Sequence, residues 1–239
     1  MANNGSGAAA NTRRGQKSAS VALDLPADRL AYLHGKPAPE LRKIKEWKDG
    51  AAVKLSDLRG KVVVLDFWGY WCGPCVHEMP ELVELHDKFA DQGLVIVAIH
   101  DDSVGSMAEL EAKSSRARQE IWGGRELPFH VAIDGGGRCK VPRRDRYTRG
   151  ATTALYGING FPTTLVIDKR GVLTEDPLPI GTEWAEKRIR ELLRCVQSGL
   201  GCASPPGSPE NLLRTPCSGL AAAIFSRGRP VRTDRRRSP

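Results

Sequence analysis

The sequence predicts an α/β fold, a central mixed β-sheet with helices on both faces, carried between disordered ends. Two observations support this. Val62-Val63-Val64-Leu65-Asp66-Phe67 and Leu94-Val95-Ile96-Val97-Ala98-Ile99 are nearly continuous apolar runs of strand length, the pattern of strands covered on both faces. The segment between them has helical period, and the later signals extend the order to βαβαβ and then ββα.

Taken along the chain, residues 1–20 are polar and rich in Gly, Ala and Asn, and disorder is expected there. Val21, Leu23, Leu25, Leu30 and Leu33 give the next stretch a short helix or an extension ahead of the domain. Lys43–Trp47 reads as a strand before an Asp49-Gly50 turn, Leu55–Arg59 as a helical turn, and Val62–Phe67 as a strand. A helix follows from about Cys72 to Asp91, with Val76, Met79, Leu82, Val83 and Phe89 toward the core. Pro80 lies inside it and should kink it, since it removes the bond to residue 76. Gly93 ends it, and Leu94–Ile99 is the next strand. Ser106-Met107-Ala108-Glu109 has the form of a capping box and opens a helix to about Trp122.

Phe129–Ile133 gives a third strand. Asp134-Gly135-Gly136-Gly137 then leads into Arg138, Lys140, Arg143, Arg144, Arg146 and Arg149. This stretch is too polar for a core and reads as a surface excursion, either a solvated loop or a selector of an acidic partner. Thr152–Tyr156 suggests a short helix. Leu165–Ile167 and Val172–Leu173 flank a turn at Asp168-Lys169-Arg170-Gly171. Thr182 caps a last helix with Trp184, Ile189, Leu192, Leu193 and Val196 inward, closed by Gly199. The expected organisation is an extension over 1–34, one domain over 35–200 with an insertion at about 135–150, and a disordered basic tail over 201–239.

The chemistry is concentrated at Trp71-Cys72-Gly73-Pro74-Cys75, directly after the first buried strand. A disulfide needs its two Cα atoms within about 7 Å. Cysteines at i and i+3 on the first helical turn share a face and meet that limit. Cys72 falls at or just before the helix N-terminus, where unpaired N–H groups and the positive dipole end favour a thiolate, the attacking species. Cys75, one turn deeper, is expected to be the resolving thiol. Gly73 and Pro74 suit a tight helix entry, where proline's missing N–H costs little. The competing chemistry is a metal site or two unrelated structural cysteines. A zinc site wants four ligands, and the chain has no second Cys-x-x-Cys and no downstream His-x3–5-His pair. No metal is therefore expected.

Trp71 through Cys75 matches thioredoxin, and the stretch resembles the thioredoxin superfamily. Its surroundings are similar to the TlpA-like branch of thiol–disulfide oxidoreductases, related to the redoxin and AhpC-TSA proteins. The residues concerned are Gly35-Lys36-Pro37-Ala38-Pro39, Leu55 through Lys61, Glu78-Met79-Pro80-Glu81-Leu82 and Gly160 through Asp168, so the likeness covers about residues 35–198. It implies a thioredoxin fold and several roles. Pro162 would be the cis-proline facing the disulfide, against an ordinary trans loop proline. Asp66 would be the buried acid that takes a proton from the resolving thiol; a strand-end Asp turned to water is the alternative. Glu78 would be an active-site carboxylate, against a plain solvated helix residue. Trp71, Gly73, Pro74, Phe161 and Pro162 would line the substrate groove, while Trp68 reads as packing. The implied activity is reduction of protein disulfides, without a cofactor, by a monomer that an upstream thiol donor resets. The Gly73-Pro74 dipeptide and Asp66 favour reductant over oxidant.

Two other functions stay open at this point. A thiol peroxidase of redoxin type would want Pro-x-x-x-Thr-x-x-Cys, and Asp66 through Cys72 lacks both the Pro and the Thr. A non-catalytic binding module would not need two thiols.

The net charge of the chain is +8. Arg227, Arg229, Arg232, Arg235, Arg236 and Arg237 make the C-terminal tail basic. It reads as a solvated end, and no nucleic-acid partner is expected. Cys139, Cys195, Cys202 and Cys217 lie outside the motif, and Cys195 with Cys202 could close a small loop in an oxidising compartment. The TlpA-like resemblance implies the extracytoplasmic, periplasmic side. Residues 1–20 carry no apolar export segment, and no run of about 18 apolar residues suggests a membrane span, so the compartment is left open.

Overall fold

The computed structural model describes residues 32–142, 145–174 and 177–195. Its core is a five-stranded sheet in the order β1-β4-β3-β2-β7. The strands are β1 (Glu46–Trp47), β2 (Val62–Trp68), β3 (Leu94–His100), β4 (His130–Ile133) and β7 (Thr163–Ile167). β2, β3 and β4 are parallel, whereas β1 and β7 run antiparallel at the edges. The sheet is therefore mixed, and β2 and β3, the two apolar runs, lie inside it.

Both faces of β2 are buried, and its alternation sorts the core into two layers. Val62, Val64 and Trp68 pack on one face with Cys75, Val76, Met79 and Leu82 of helix α1 (Gly73–Phe89). Met107 and Leu110 of α2 (Met107–Glu120) and Ala185, Ile189 and Leu192 of α4 (Glu183–Arg194) complete that layer. Val63, Leu65 and Phe67 face the opposite layer, which holds Leu33, Leu55, Tyr156, Ile158 and Leu173. The covering of this second face is thinner. It consists of a 3-10 turn at Leu55–Leu58 and the short helix α3 (Ala151–Leu155) with the chain around it.

Several expectations need correction. The first strand spans only Glu46–Trp47, because Lys43 adopts a positive φ of 52° and breaks the extended run. α1 ends at Phe89 and passes into a 3-10 turn, Ala90–Gln92, before the left-handed Gly93 at φ 102°. α2 stops at Glu120, two residues short of Trp122, which is buried beside it. Val172 and Leu173 form isolated bridges to Pro37 and Ile167 rather than a strand. Trp184 is 44% exposed, not inward. It falls in the first turn of α4, where Ala185 takes the core-facing place. Val196, Gly199, Cys202 and Cys217, with both terminal segments, lie outside the described residues.

The basic stretch after β4 is not an irregular loop. It forms an antiparallel ribbon of β5 (Arg138–Lys140) and β6 (Tyr147–Arg149). Asp134 fixes its base. This buried carboxylate accepts from the Gly135, Thr152 and Thr153 N–H groups and from the Thr153 hydroxyl, which ties the end of β4 to the start of α3.

Candidate active site

β2 delivers the chain to the start of α1, and the turn between them presents the cysteines. Cys72 is the N-cap of α1, with extended backbone (φ −89°, ψ 102°), and its sulfur accepts from the Cys75 N–H at 3.3 Å. The two are disulfide-bonded with a Cα–Cα distance of 5.3 Å. Gly73 and Pro74 occupy the first exposed positions of the helix. Cys75 is fully buried and Cys72 nearly so.

Against this turn stands the loop before β7. The Phe161–Pro162 peptide is cis. Trp71, 52% exposed, meets the Phe161 ring edge-on at 5.6 Å and 82°. Its indole N–H points to Ser103 Oγ at 3.2 Å and to Asp101 Oδ1 at 3.4 Å. Pro74, Glu78, Pro162, Thr164 and Leu178 line an adjoining open groove of about 470 Å³.

Asp66 is 1% exposed, in the middle of β2. Strand alternation puts it on the same face as Val64 and Trp68, under α1 and Cys75. Burial is the main cause that pushes its carboxyl up to about 8. The Glu78 carboxylate adds to this, and the Thr164 hydroxyl, donating at 3.0 Å, works against it. Oδ2 has no hydrogen-bond partner among the described residues. Asp66 is thus not a strand-end residue turned to water. Glu78, half-buried on α1, is pushed up to about 7, first by burial and then by Glu81. Thr164 is the residue directly opposite Asp66 in the β2–β7 register and also lines the groove with Glu78, so it links the two acids.

The structure thus brings Cys72, Cys75, Trp71, Phe161 and Pro162 to one end of the sheet, with Asp66 beneath and Glu78 beside them. This is the carboxyl end of the parallel strands, where α/β sheets place their sites. Trp68 packs in the core against His100 and Trp122, as a packing residue should. Sequence reasoning missed three members. His100, buried at the end of β3, accepts the Tyr70 N–H at Nε2, and its Nδ1 lies 2.8 Å from the Asp101 carbonyl. Its ring is parallel to Tyr70, 5.7 Å away. Burial lowers its pKa, which keeps the ring neutral and able to accept. Asp101 and Thr164 were the others. The available signal was position, since all three lie at or beside the strand ends flanking β2. Among the described residues, no cluster of His, Cys, Asp or Glu could hold a metal ion.

Residues 34–176 match the AhpC/TSA family. The chain is 31% identical over 162 residues to the thiol-disulfide oxidoreductase ResA of Bacillus thuringiensis subsp. konkukian, covering 68% of this chain and 78% of that protein. It is 32% identical over 133 residues to the thioredoxin-like protein YneN of Bacillus subtilis, covering 56% of this chain and 64% of that one. Among solved structures, a Chlorobium tepidum protein described as a DsbE-type thiol:disulfide interchange protein is similar at 30% identity and TM-score 0.50. That match spans 67% of this chain and 97% of the other.

Proposed function

The chain belongs to the AhpC/TSA family, within the thioredoxin superfamily, and is a thiol–disulfide oxidoreductase; we propose that it works as a reductant of protein disulfides. The observation that carries this reading is the Cys72–Cys75 disulfide at the N-terminus of α1, bordered by exposed Trp71 and an open groove.

In the reduced protein, the Cys72 thiolate attacks one sulfur of a substrate disulfide. That bond breaks, a mixed disulfide forms with Cys72, and the displaced substrate sulfur leaves as a thiolate and takes up a proton. In the fraction of molecules whose Asp66 is ionised, a minority at neutral pH because its carboxyl is pushed up to about 8, the Cys75 thiol then passes its proton to Asp66 and attacks the Cys72 sulfur. This re-forms the Cys72–Cys75 disulfide and frees the second substrate thiolate. Two electrons pass to the substrate, and an upstream thiol donor must return them. Helix-terminus N–H groups favour the attacking thiolate, and the raised pKa of Asp66 suits an acid that exchanges protons near neutral pH. Glu78 is the carboxylate through which that proton reaches the groove. Trp71, Gly73, Pro74, Phe161 and Pro162 make the rim that receives the substrate chain. We assign the protein to work as a monomer, on the extracytoplasmic side in keeping with the TlpA-like resemblance. No helix among the described residues is long and apolar enough to cross a membrane.

The reduction potential of the Cys72–Cys75 pair tests the direction. Equilibration in thiol–disulfide buffers, followed by tryptophan fluorescence, should give a value near about −270 mV, as for thioredoxin. A value near about −120 mV would make the protein an oxidant and overturn the direction.

A further inference from the structure

The β5–β6 ribbon has no part in the chemistry above, and its surface is unusual. Residues 138–149 hold six cations and a single acid, Asp145. The register places Arg138 opposite Arg149 and Lys140 opposite Tyr147, with Cys139 and Thr148 paired between them. All four residues of the first two pairs are exposed, whereas Cys139 and Thr148 are half-buried. One face of the ribbon therefore presents three cations and an aromatic ring to solvent. Like charges directly opposite each other destabilise a strand pair, so the Arg138–Arg149 pairing works against the ribbon's own folding.

Two features keep the face available. Arg138 lies over the Tyr147 ring, 4.1 Å from its centroid, which orients one guanidinium without neutralising it. Lys140 has only a 3.4 Å contact to Asp145, which is itself almost fully exposed. Arg138, Arg146 and Arg149 have no ion-pair partner among the described residues.

The ribbon is also anchored beside the active-site rim. The Gly150 N–H donates to the Gly137 carbonyl and closes its base at 2.9 Å. The Gly137 N–H donates to the Asp102 carboxylate. Asp102 follows Asp101, which accepts from the indole of Trp71. The loop that orients the exposed tryptophan next to Cys72 thus also holds the root of the ribbon.

We infer that the outer face of the ribbon, Arg138, Lys140, Tyr147 and Arg149, docks the protein substrate by recognising acidic side chains flanking its disulfide. This rests on the oxidoreductase reading and names the class of partner. Arginines beside an exposed aromatic suit a carboxylate-bearing protein surface, since guanidinium pairs carboxylates in a fork and aromatic rings anchor interfaces. Complementary charge on a surface rooted in the loop that holds Trp71 raises the rate of productive encounter.

The test uses the reduced full-length protein and two synthetic peptides with the same disulfide loop, one flanked by Asp and Glu and the other by Lys. Rate constants of reduction are followed by stopped-flow tryptophan fluorescence, at about 20 mM and about 0.5 M salt. The acidic peptide is expected to react about tenfold or more faster at low salt, with the preference lost at high salt. Combined Arg138→Glu, Lys140→Glu and Arg149→Glu should reverse the preference, while reduction of neutral hydroxyethyl disulfide stays unchanged. Arg138→Gln with Arg149→Gln, checked by circular dichroism, should diminish the preference even if the triple variant fails to fold. Equal rates for the two peptides would overturn the inference. So would tight, salt-sensitive binding of a short DNA duplex without peptide discrimination, which would mark the face as a nucleic-acid surface. Failure of the wild-type protein to reduce even hydroxyethyl disulfide would instead sink the oxidoreductase reading, and the docking role with it.

Discussion

Cys72 and Cys75 differ by one helical turn, and that turn separates their roles. Cys72 caps the helix, and its sulfur already accepts a backbone N–H, so the protein stabilises negative charge there. Cys75 lies beneath it with no exposed surface. Replacement of each should therefore have opposite consequences. Cys75→Ser should accumulate a covalent adduct with a disulfide peptide, visible by intact mass spectrometry, because nothing remains to resolve it. Cys72→Ser should form none, and equal adduct in both variants would reject the assignment. The acids invite a finer test. Thr164 is the hydroxyl donor to Asp66. Thr164→Val should leave the Asp66 carboxylate less well held and raise its pKa above about 8. It should also cost about 1 kcal/mol of stability. Infrared titration of the carboxyl band would read the pKa, and a downward movement would refute the link.

At the scale of elements, the ribbon depends on one glycine. Gly150 adopts φ +105°, and a Cβ there would fall on the Asp134 carboxylate that holds the start of α3. Gly150→Ala should cost more than about 2 kcal/mol in denaturant melts, since it combines a strained φ with displacement of a buried hydrogen-bonded acid. Ser106→Ala, which removes the oxygen that caps α2 through the Glu109 N–H, should cost only about 1 kcal/mol. A Gly150→Ala variant as stable as Ser106→Ala would disprove the packing argument. These elements also show what could be read from the chain. β2, β3, α1 and the α2 cap were legible because apolar runs, helical period and a serine cap are local signals. The ribbon was not, because β5 and β6 gain little from their own composition. Their pairing is imposed by Asp134, Gly150 and the loop at Asp102, which are separate in sequence. Trp184 was misjudged for a different reason. Its hydrophobicity suggests an inward place, but helical period does not: Ile189, Leu192 and Leu193 lie four, seven and eight residues after Ala185, so Ala185 shares their face and Trp184 stands about 100° away from it. Cys72, Cys75, Pro162 and Asp66 could be named from motif and resemblance. His100, Asp101 and Thr164 needed the strand register that assembles them.

At the scale of the whole molecule, an apolar core that keeps an acid in its central sheet gives up stability for it, and the loss has a definite pH signature. Unfolded Asp66 ionises near its ordinary value of 3.8, and folded Asp66 near about 8. Between these limits the native state retains a proton that the unfolded chain has released, so rising pH favours unfolding. The contribution is fully present below the lower value and lost as pH passes the upper one. Other shifted groups act elsewhere. Burial raises Asp134 too, with the same sign, but its hydrogen bonds from Thr153, Thr152 and Gly135 oppose the rise, so it moves less far than Asp66. The surface acids Asp87, Glu109 and Glu186 are lowered by neighbouring cations, so they matter only in the acid range. Burial lowers His100, whose opposing effect ends near its ordinary value of 6.5. From about pH 6.5 to 8 the decline should thus come mainly from Asp66, with Glu78 contributing up to about 7. Its size should be about 2 kcal/mol. Urea melts of the oxidised protein across that window should show the decline in the wild type, and in Asp66→Asn only the smaller part below about pH 7 that Glu78 supplies. Glu78→Gln removes a charge that raises Asp66, so the Asp66 decline should end at lower pH, while its start, set by the unfolded chain, stays where it is. A flat wild-type profile, or an unchanged slope in Asp66→Asn, would mean that Asp66 is already ionised in the folded protein. It could then accept the Cys75 proton at neutral pH without the raised pKa assigned here.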